Sequence, residues 1–321
     1  MKIALDAMGG DFAPAAIVEG ALMALRELPD EARILLIGDQ PVLEACLRQL
    51  GAEAHHPRLP LIHAPEVIEM GEHPTKALAQ KPDSSIAVGY RLLRTGEAVA
   101  FCSAGNTGAM MVGALFSVKA LPGVKRPPIA SFFPQLHGGT GVILDVGANA
   151  DCKPEMLDQF AEIGSIYARY VLNIAEPRVG LLNIGEEEGK GSMVAQEAYQ
   201  LLKVNPTLRF IGNIEGRDIF QGKCDVVVCD GFTGNIVLKM AESLHGMVVE
   251  RGLKDAYFAR FNYETMGGSP ILGVNGNVVI GHGVSSPLAA CNMVKLGHQM
   301  GAAGLLDRFR RVYNSPSATP A

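Results

Sequence analysis

Short apolar runs of strand length alternate with segments of helical periodicity along nearly the whole chain. This alternation is typical of βαβ units, in which helices cover both faces of a mostly parallel sheet. We therefore predict an α/β fold, with three α/β/α layers around a mostly parallel, Rossmann-like sheet. The predicted strands are residues 2–6, 33–37, 61–64, 98–102, 129–133, 142–145, 178–182, 208–211 and 225–229, with a late short-strand region at 271–280. The predicted helices are residues 15–27, 42–50, 84–93, 108–118, 154–171, 193–202, 236–249 and 287–300.

One pair of predicted strands is not joined by a helix. Residues 129–133 and 142–145 flank a turn at Gly138–Gly139, which predicts an antiparallel hairpin. Because no Ser/Gly-rich linker divides the chain, we expect one continuous domain over residues 1–312. A frayed tail is expected over residues 313–321.

Five turns rich in glycine, asparagine and aspartate lead from predicted strands into the helices that follow. They are residues 6–11, 103–108, 145–149, 183–191 and 230–235. In one open parallel sheet these turns share the edge where ligands bind. Glycine lets the backbone approach a ligand closely, and helix N-termini attract anions, so such a crevice is suited to phosphate. The same residues are also ordinary turn and cap residues, and this alternative stays open.

Composition narrows the classes of function. A net charge of -5 argues against a general nucleic-acid or anionic-membrane surface. The six cysteines form no CxxC pair and are expected to be reduced packing residues of a cytosolic protein. No apolar stretch reaches the roughly 20 residues that a membrane-spanning helix needs. We therefore expect a cytoplasmic protein.

Familiar cofactor and nucleophile signatures do not fit the sequence. Gly9 and Gly10 do not begin a dinucleotide-binding pattern, and residues 185–192 have one residue too few between the glycines for a P-loop. The eight histidines show no metal-ligand spacing. We therefore predict no cofactor and no metal. Ser103 lacks the elbow motif of serine hydrolases, and His282, between two glycines after an apolar strand, is equally compatible with a functional and a structural role.

Several motifs, in order along the whole chain, resemble one family. They are DAMGGD (6–11) with Ala13-Pro14, SAGNTGA (103–109), Arg126-Pro127, DVGAN (145–149) with Lys153-Pro154-Glu155, RVGLLNIGEEEGKG (178–191), FIGNIEGRDI (210–219), DVVVCDGFTGNIVLK (225–239) and HG (282–283). The set is similar to the phosphate acyltransferase of bacterial phospholipid synthesis, the PlsX family.

This resemblance implies transfer of a fatty acyl group from acyl carrier protein to orthophosphate, which yields acyl phosphate for phospholipid synthesis. It also implies a fold similar to phosphate acetyltransferases and isocitrate-dehydrogenase-like proteins, and a homodimer. The rival interpretations are a phosphate acyltransferase that uses acyl-coenzyme A, and a non-catalytic phospholigand-binding protein of lipid synthesis. No nucleic-acid partner is expected.

Site residues are assigned from their positions in the predicted turns. Phosphate can attack a thioester directly, so the protein has to position it and stabilise the oxyanion. The residues predicted to take part in catalysis are Lys190, His282, Asn106 and Asn235. The predicted substrate-binding residues are Ser103, Gly105, Thr107, Gly9, Gly10, Asp145, Asn149, Gly185, Asp230, Thr233, Gly234 and Lys239.

The chain departs from the family pattern in one region. Met266 stands where family members usually carry tyrosine, and the stretch between Lys239 and Gly267 lacks the Lys-rich hairpin of many members. A short amphipathic helix is predicted over residues 251–263. We expect it to give at most a weak peripheral contact with the membrane or with a membrane acyltransferase, and a dimer or core element is an equally open alternative.

Overall fold

The computed structural model describes residues 1–53 and 56–313. Within this part of the chain the strands form two sheets, and the residues divide into two compact units. Unit 1 consists of Met1–Ala120 and Tyr263–Ala302, and unit 2 of Leu121–Asn262 with the residues from Ala303 onward. The prediction that all the strands belong to one sheet is therefore wrong. The prediction of an α/β class with mostly parallel strands is confirmed.

Unit 1 contains a six-stranded sheet of order β10-β11-β4-β1-β2-β3. Its strands are β1 (Lys2–Asp6), β2 (Arg33–Gly38), β3 (Leu61–His63), β4 (Ala100–Ser103), β10 (Ser269–Ile271) and β11 (Asn277–Ile280). Its helices are α1 (Ala15–Glu27), α2 (Gln40–Gln49), α3 (Pro74–Gln80), α4 (Ser85–Arg94), α5 (Thr107–Gly113), α9 (Tyr263–Met266) and α10 (Pro287–Ala302), with a π-helical turn over Ala114–Val118. Strand β10 runs antiparallel to β11, whereas the other pairings are parallel.

The alternation of side chains along β4 shows why helices cover both faces of this sheet. A Cβ on Gly297 of α10 would lie 2.9 Å from Cys102 and 3.2 Å from Ala100, whereas Gly89 of α4 faces the ring of Phe101. Since neighbouring strand residues point to opposite faces, α10 and α4 pack on opposite sides. The small residues let both helices approach a fully buried strand closely.

Unit 2 contains a five-stranded sheet of order β5-β6-β9-β7-β8. Its strands are β5 (Ala130–Pro134), β6 (Thr140–Leu144), β7 (Arg178–Leu182), β8 (Arg209–Ile214) and β9 (Val226–Val228). Its helices are α6 (Pro154–Tyr170), α7 (Met193–Val204), α8 (Gly231–Glu250) and α11 (Leu305–Tyr313), with 3₁₀ turns over Gly216–Asp218 and Phe258–Phe261. The predicted hairpin is confirmed, because β5 and β6 pair antiparallel, while β6, β9, β7 and β8 run parallel.

Residues 251–263 do not form the predicted amphipathic helix. They contain turns followed by the 3₁₀ turn Phe258–Phe261. The Tyr257 hydroxyl donates to the Pro134 carbonyl at 3.1 Å, and the Arg260 guanidinium donates to the carbonyls of Gln135 and Gly139. These contacts with the β5–β6 hairpin hold the segment in a non-helical path.

The ends of the chain add two further observations. Tyr313, predicted as the start of a frayed tail, ends α11 and donates its hydroxyl to Glu162 at 3.2 Å. The rest of the predicted tail lies outside the described residues. Across the described ranges, no helix is both long enough and apolar enough to cross a bilayer.

Candidate active site

Each sheet has a point where the strand order reverses, and the Gly-rich turns lie at these points. In unit 1 the chain places β2 and β3 on one side of β1 and β4 on the other. In unit 2, β8 lies on one side of β7 and β9 on the other. Ligands of open α/β sheets bind beyond the carboxyl ends of strands at such switch points. The turns after β1 and β4, and those after β7 and β9, are therefore the candidate site loops.

Asp6 and Ser103 connect the two loops of unit 1. The Ser103 hydroxyl donates to Asp6 Oδ2 at 2.7 Å and accepts from the Gly105 N–H at 3.0 Å, while the Met8 N–H donates to Asp6 Oδ1. Both side chains are fully buried, and burial raises the pKa of the Asp6 carboxyl above its ordinary value. Ser103 therefore orders the loop backbone, and its hydroxyl is already engaged on both sides.

Gly9 and Gly10 are required by the close packing of three loops. A Cβ on Gly9 would lie 2.6 Å from the Gly105 nitrogen, which is closer than real contacts allow. Gly10 has φ +109°, and its Cβ position is 3.1 Å from the Gly283 carbonyl oxygen. That carbonyl also accepts from the Asp11 N–H at 2.7 Å. The structure thus brings the glycines after β1 and β4 together with the loop that carries His282.

Asn106 is the N-cap of α5, and its amide is fully engaged. Its Oδ1 accepts from the Ala109 N–H at 2.9 Å. Its Nδ2 lies 3.0 Å from each of the carbonyl oxygens of Glu69, Met70 and Glu72. An amide nitrogen has two hydrogens, so three carbonyls leave none for a ligand. This geometry favours the alternative that Asn106 is a cap, with Thr107 exposed beside it at the start of α5.

Asp145 organises the loop after β6 in unit 2. Its Oδ1 accepts from the N–H groups of Ile129, Gly147 and Ala148 at 3.0–3.2 Å. Its Oδ2 accepts from the backbone and the side-chain amide of Asn149 at 2.6 and 2.9 Å. Burial raises the pKa of the Asp145 carboxyl, and the N–H donors partly offset that rise. A carboxylate therefore already occupies the anion-binding concavity that these N–H groups form.

Asp230 caps α8, which begins against this loop. Its two carboxylate oxygens accept from the Thr233 N–H and from the Thr233 hydroxyl, both at 2.8 Å. The Gly231 N–H donates to the Asn149 carbonyl at 2.7 Å. A Cβ on Gly234 would lie 1.9 Å from the Asp145 carbonyl oxygen, so glycine is required there for packing. Asp230 and Gly234 thus fix the start of the helix.

Asn235 follows these capping residues on α8 and differs from them. It is partly exposed, and its amide makes no hydrogen bond to any residue in the described ranges. The Cβ position of Gly147 lies 3.7 Å from Asn235 Oδ1, which places the amide beside the Asp145 loop. Lys239, one helical turn further on, is exposed. The Asn235 amide is therefore available to a ligand.

Lys190 lies in the loop between β7 and α7. Its carbonyl accepts from the Asn183 side chain at 3.0 Å, and its aliphatic stem packs beside Gly185. The neighbouring Glu188 is paired with Lys203 at 2.9 Å, and Glu186 with Lys223. The Lys190 ammonium itself has no ion-pair partner in residues 1–53 and 56–313. It is therefore a cation at the carboxyl edge of the sheet, with the Glu187 carboxylate in the same loop but without an ion pair among the described residues.

A cavity of about 400 Å³ lies at the switch point of unit 2. Its polar lining includes Asp151, Cys152, Ser192, Asp230 and Thr233. Burial, together with the Asp145 and Asp230 carboxylates, raises the pKa of the Cys152 thiol to about 12. Because the thiolate is the nucleophilic form of cysteine, this thiol is unreactive at neutral pH.

The sequence-predicted site residues thus fall into two groups. Gly9, Gly10, Ser103, Gly105, Asn106, Thr107 and His282 lie at the carboxyl edge of the unit 1 sheet. Asp145, Asn149, Gly185, Lys190, Asp230, Thr233, Gly234, Asn235 and Lys239 belong to the loops and the helix that follow strands of the unit 2 sheet.

Sequence reasoning missed Ser192 and Phe232, which line the cavity. A serine directly before an apolar helical period is a cap signal that would have identified Ser192. Phe232 is 65% exposed inside a glycine-rich motif, which is an unusual place for a large aromatic side chain.

Comparison with known proteins agrees with the family resemblance. The family model described as "Fatty acid synthesis protein" matches residues 1–257. The phosphate acyltransferase of Salinibacter ruber is 43% identical over 336 aligned positions, which cover 99% of both chains. That of Chlorobaculum parvum is 46% identical over 326 positions, covering 94% of this chain and 95% of the relative.

Solved structures show the same fold at low sequence identity. A phosphotransacetylase from Staphylococcus aureus aligns with a TM-score of 0.67 and 18% identity over 94% of each chain. One from Streptococcus pyogenes aligns with a TM-score of 0.67 and 20% identity, over 96% of this chain and 94% of the other. The predicted likeness to phosphate acetyltransferases is confirmed at the level of the fold. From the family model and the near full-length relatives, the chain belongs to the phosphate acyltransferase family of fatty acid and phospholipid synthesis.

Proposed function

We propose that the protein transfers a fatty acyl group from acyl carrier protein to orthophosphate. The support is membership of the phosphate acyltransferase family together with the loops at the two switch points. The observation that carries the proposal is the contrast within these loops. Asp145 and Asp230 are held by hydrogen bonds, whereas the Lys190 ammonium and the Asn235 amide are unengaged among the described residues. A cation and an amide donor are the groups that a phosphate substrate and an oxyanion need.

The reaction requires no nucleophile from the protein. A phosphate oxygen forms a bond to the thioester carbonyl carbon, and a tetrahedral intermediate carries the negative charge on the former carbonyl oxygen. The C–S bond then breaks, the electron pair leaves with sulfur, and the thiolate takes up a proton to give free carrier. The Cys152 thiol is unreactive, and the Ser103 hydroxyl already makes two hydrogen bonds. Both observations agree with direct attack by phosphate.

The proposed roles separate side chains that are already hydrogen-bonded within the protein from those that can contact a substrate. Lys190 holds phosphate as a point charge, with Lys239 as a second cation. Asn235 donates to the oxyanion. The role of His282 as a base or orienting donor remains a prediction from the sequence. The glycines at 9, 10, 105 and 185 let the backbone approach the substrate, and Thr107 offers a hydroxyl. Ser103, Asn106, Asp145, Asn149, Asp230, Thr233 and Gly234 hold the loops in place.

The choice of acyl donor is tested by direct assay. The protein is incubated with radiolabelled orthophosphate and either palmitoyl-acyl carrier protein or palmitoyl-coenzyme A, and acyl phosphate is measured as label that enters the lipid-extractable fraction. We expect product formation with the carrier thioester at a kcat/KM at least tenfold above that with the coenzyme A thioester. A reversed ratio would favour the acyl-coenzyme A alternative. Absence of product with both donors would favour a non-catalytic phospholigand-binding protein.

Replacement of Lys190 by alanine is expected to raise the KM for phosphate about 10- to 100-fold. A hydrogen bond to a charged group is worth about 1.5–3 kcal/mol, which corresponds to this range. Lys203→Ala is the matched control, because Lys203 is an exposed lysine of the same unit whose charge is paired with Glu188. An unchanged phosphate KM in the Lys190 variant would remove this residue from the site.

We further propose a homodimer in which α8 contributes the contact. Ile236, Met240, Leu244 and Met247 are 45–62% exposed and lie within about 80° of one another around the helix. Four such side chains in line form an apolar face of the kind that a second copy covers. Met240→Glu is expected to convert the dimer to monomer in light scattering. Val249→Glu, on the other side of the same helix and 59% exposed, is expected to leave it dimeric. Equal masses for both variants would place the contact elsewhere.

A further inference from the structure

A second cavity, of about 440 Å³, lies in unit 1 beside α3, α4 and α5. We call it the α4 groove. Its lining includes Leu78, Ala87, Arg91, Arg94, Val112 and Phe116. Its volume is within the range of small-molecule sites, roughly 300–1,000 Å³.

The lining is apolar except at one side. Leu78, Val112 and Phe116 provide the hydrocarbon surface, and Ala87 and Gly113 leave room between them. Phe116 is 73% exposed, which is a high value for a phenylalanine that borders an apolar cavity. An apolar ligand in the groove would cover this ring.

The two charged residues of the lining have the same sign. Arg91 and Arg94 lie one turn apart on α4. Arg91 is 3.6 Å from the Asp83 carboxylate, whereas Arg94 makes no ion pair with the residues that the structure describes. A guanidinium beside an apolar groove is complementary to a ligand with an apolar body and an anionic end.

The helix that forms one wall has an irregular backbone at this place. After α5 the chain continues as a π-helical turn over Ala114–Val118, in which the Lys119 N–H donates to the Ala114 carbonyl at 3.0 Å. Such turns are rare and are frequently found at functional sites. Phe116 lies in the middle of this turn. Helix α5, which leads into this turn, begins at Thr107. At a rise of 1.5 Å per residue, Phe116 lies about 13 Å further along the helix.

We infer that the α4 groove binds a long-chain acyl anion, with the hydrocarbon chain against Leu78, Val112 and Phe116 and the anionic end at Arg94. The inference rests on the proposed function for its choice of ligand class. Two sources share this chemistry, a free fatty acid and an acyl phosphate formed by the protein. The cavity, the Arg94 guanidinium without an ion pair among the described residues, the exposed phenylalanine and the π-helical turn all lie at one place.

The chain contains no tryptophan, so a single tryptophan can report on the groove. Phe116→Trp is titrated with palmitate, and separately with hexadecylphosphonate as a stable analogue of acyl phosphate, both below their micelle concentrations. We expect a saturable blue shift of the emission with at least one of them. Val42→Trp, at a residue 42% exposed on α2 of the same unit, is the control and should not respond. A response to palmitate alone would indicate a fatty-acid site, and a response to the phosphonate alone a site for acyl phosphate.

Further substitutions in the Phe116→Trp background test the mode of binding. Arg94→Ala is expected to weaken binding of the anion about 10- to 100-fold. Arg48→Ala, an exposed arginine on α2, should have no effect. Ala87→Phe should abolish binding by filling the groove, and thermal unfolding will verify that each variant is folded. No saturable shift, equal shifts in both reporters, or an unaltered affinity in Arg94→Ala would overturn the inference.

This experiment uses no phosphate and no acyl carrier protein, so it is independent of turnover. If the protein binds palmitate but fails the donor assay, the groove assignment holds and the proposed function is refuted. If the protein turns over the donor but does not bind palmitate or the phosphonate, the proposed function holds and the groove assignment is refuted. An emission shift that follows protein concentration and not ligand concentration would identify the groove as a contact between copies and overturn the assignment.

Discussion

Replacing Gly234 with alanine is expected to lower the free energy of unfolding by about 3 kcal/mol or more. The added Cβ would lie 1.9 Å from the Asp145 carbonyl oxygen and 3.0 Å from Cys229 Sγ. Both neighbours are buried, and a carbonyl oxygen on the backbone cannot rotate away as a flexible side chain does. Overpacking of this kind costs 1–3 kcal/mol and occasionally more. Equilibrium unfolding in urea measures the change, provided that the free energy of unfolding falls with urea concentration at the same slope in both proteins.

The same helix supplies the matched control. Gly246 is exposed on α8, and nothing lies within 4 Å of its Cβ position. Gly246→Ala should therefore raise the free energy of unfolding by about 0.5–1 kcal/mol, since glycine in a helix interior is unfavourable relative to alanine. If Gly234→Ala were as stable as Gly246→Ala, this result would contradict the close packing of α8 against the Asp145 loop.

These two glycines illustrate what one sequence reveals. The DGFTGN motif places Gly234 in a turn after a strand, which predicted a substrate-binding role. The structure provides a packing reason that the motif does not contain, because Asp145 is far away along the chain. A glycine that admits a ligand and a glycine that admits another backbone look identical in sequence.

Elements with a strong local signal were predicted closely. The predicted ranges of β1 (2–6) and α1 (15–27) match the structure, and the Gly138–Gly139 hairpin is present. The short helix α3 was missed because its seven residues contain too few apolar positions to show a period. The division into two sheets was also missed, since the partner of each strand depends on contacts distant in sequence and not on the strand itself.

The sequence was least able to predict which side chains of the site already have hydrogen-bond partners within the protein. Asn106 and Asn235 both follow a strand within a Gly-rich turn, and both were predicted to donate to the substrate. Their surroundings differ because residues 69–72, from an unrelated part of the chain, occupy the Asn106 amide. No segment does the same at Asn235 among the described residues.

This difference leads to a second prediction with a large effect. Asn235→Ala is expected to lower kcat roughly 10²- to 10³-fold, the usual loss when one oxyanion donor is removed. Stability should change by less than about 1 kcal/mol, because the amide is partly exposed and has no partner among the described residues. Steady-state kinetics with the acyl donor that proves active, combined with urea unfolding of the same sample, separates the two effects.

Asn106→Ala serves as the opposite case. It removes a helix N-cap worth about 0.5–2 kcal/mol and leaves the carbonyls of residues 69–72 without their donor, so the variant should be clearly less stable. Once folded at low temperature it should retain kcat within a few-fold of wild type, because its amide has no hydrogen left for the oxyanion. Should Asn106→Ala lose turnover and Asn235→Ala retain it, the assignment of donor and cap would be reversed, and the loop after β4 would take the place of α8 as the source of oxyanion stabilisation.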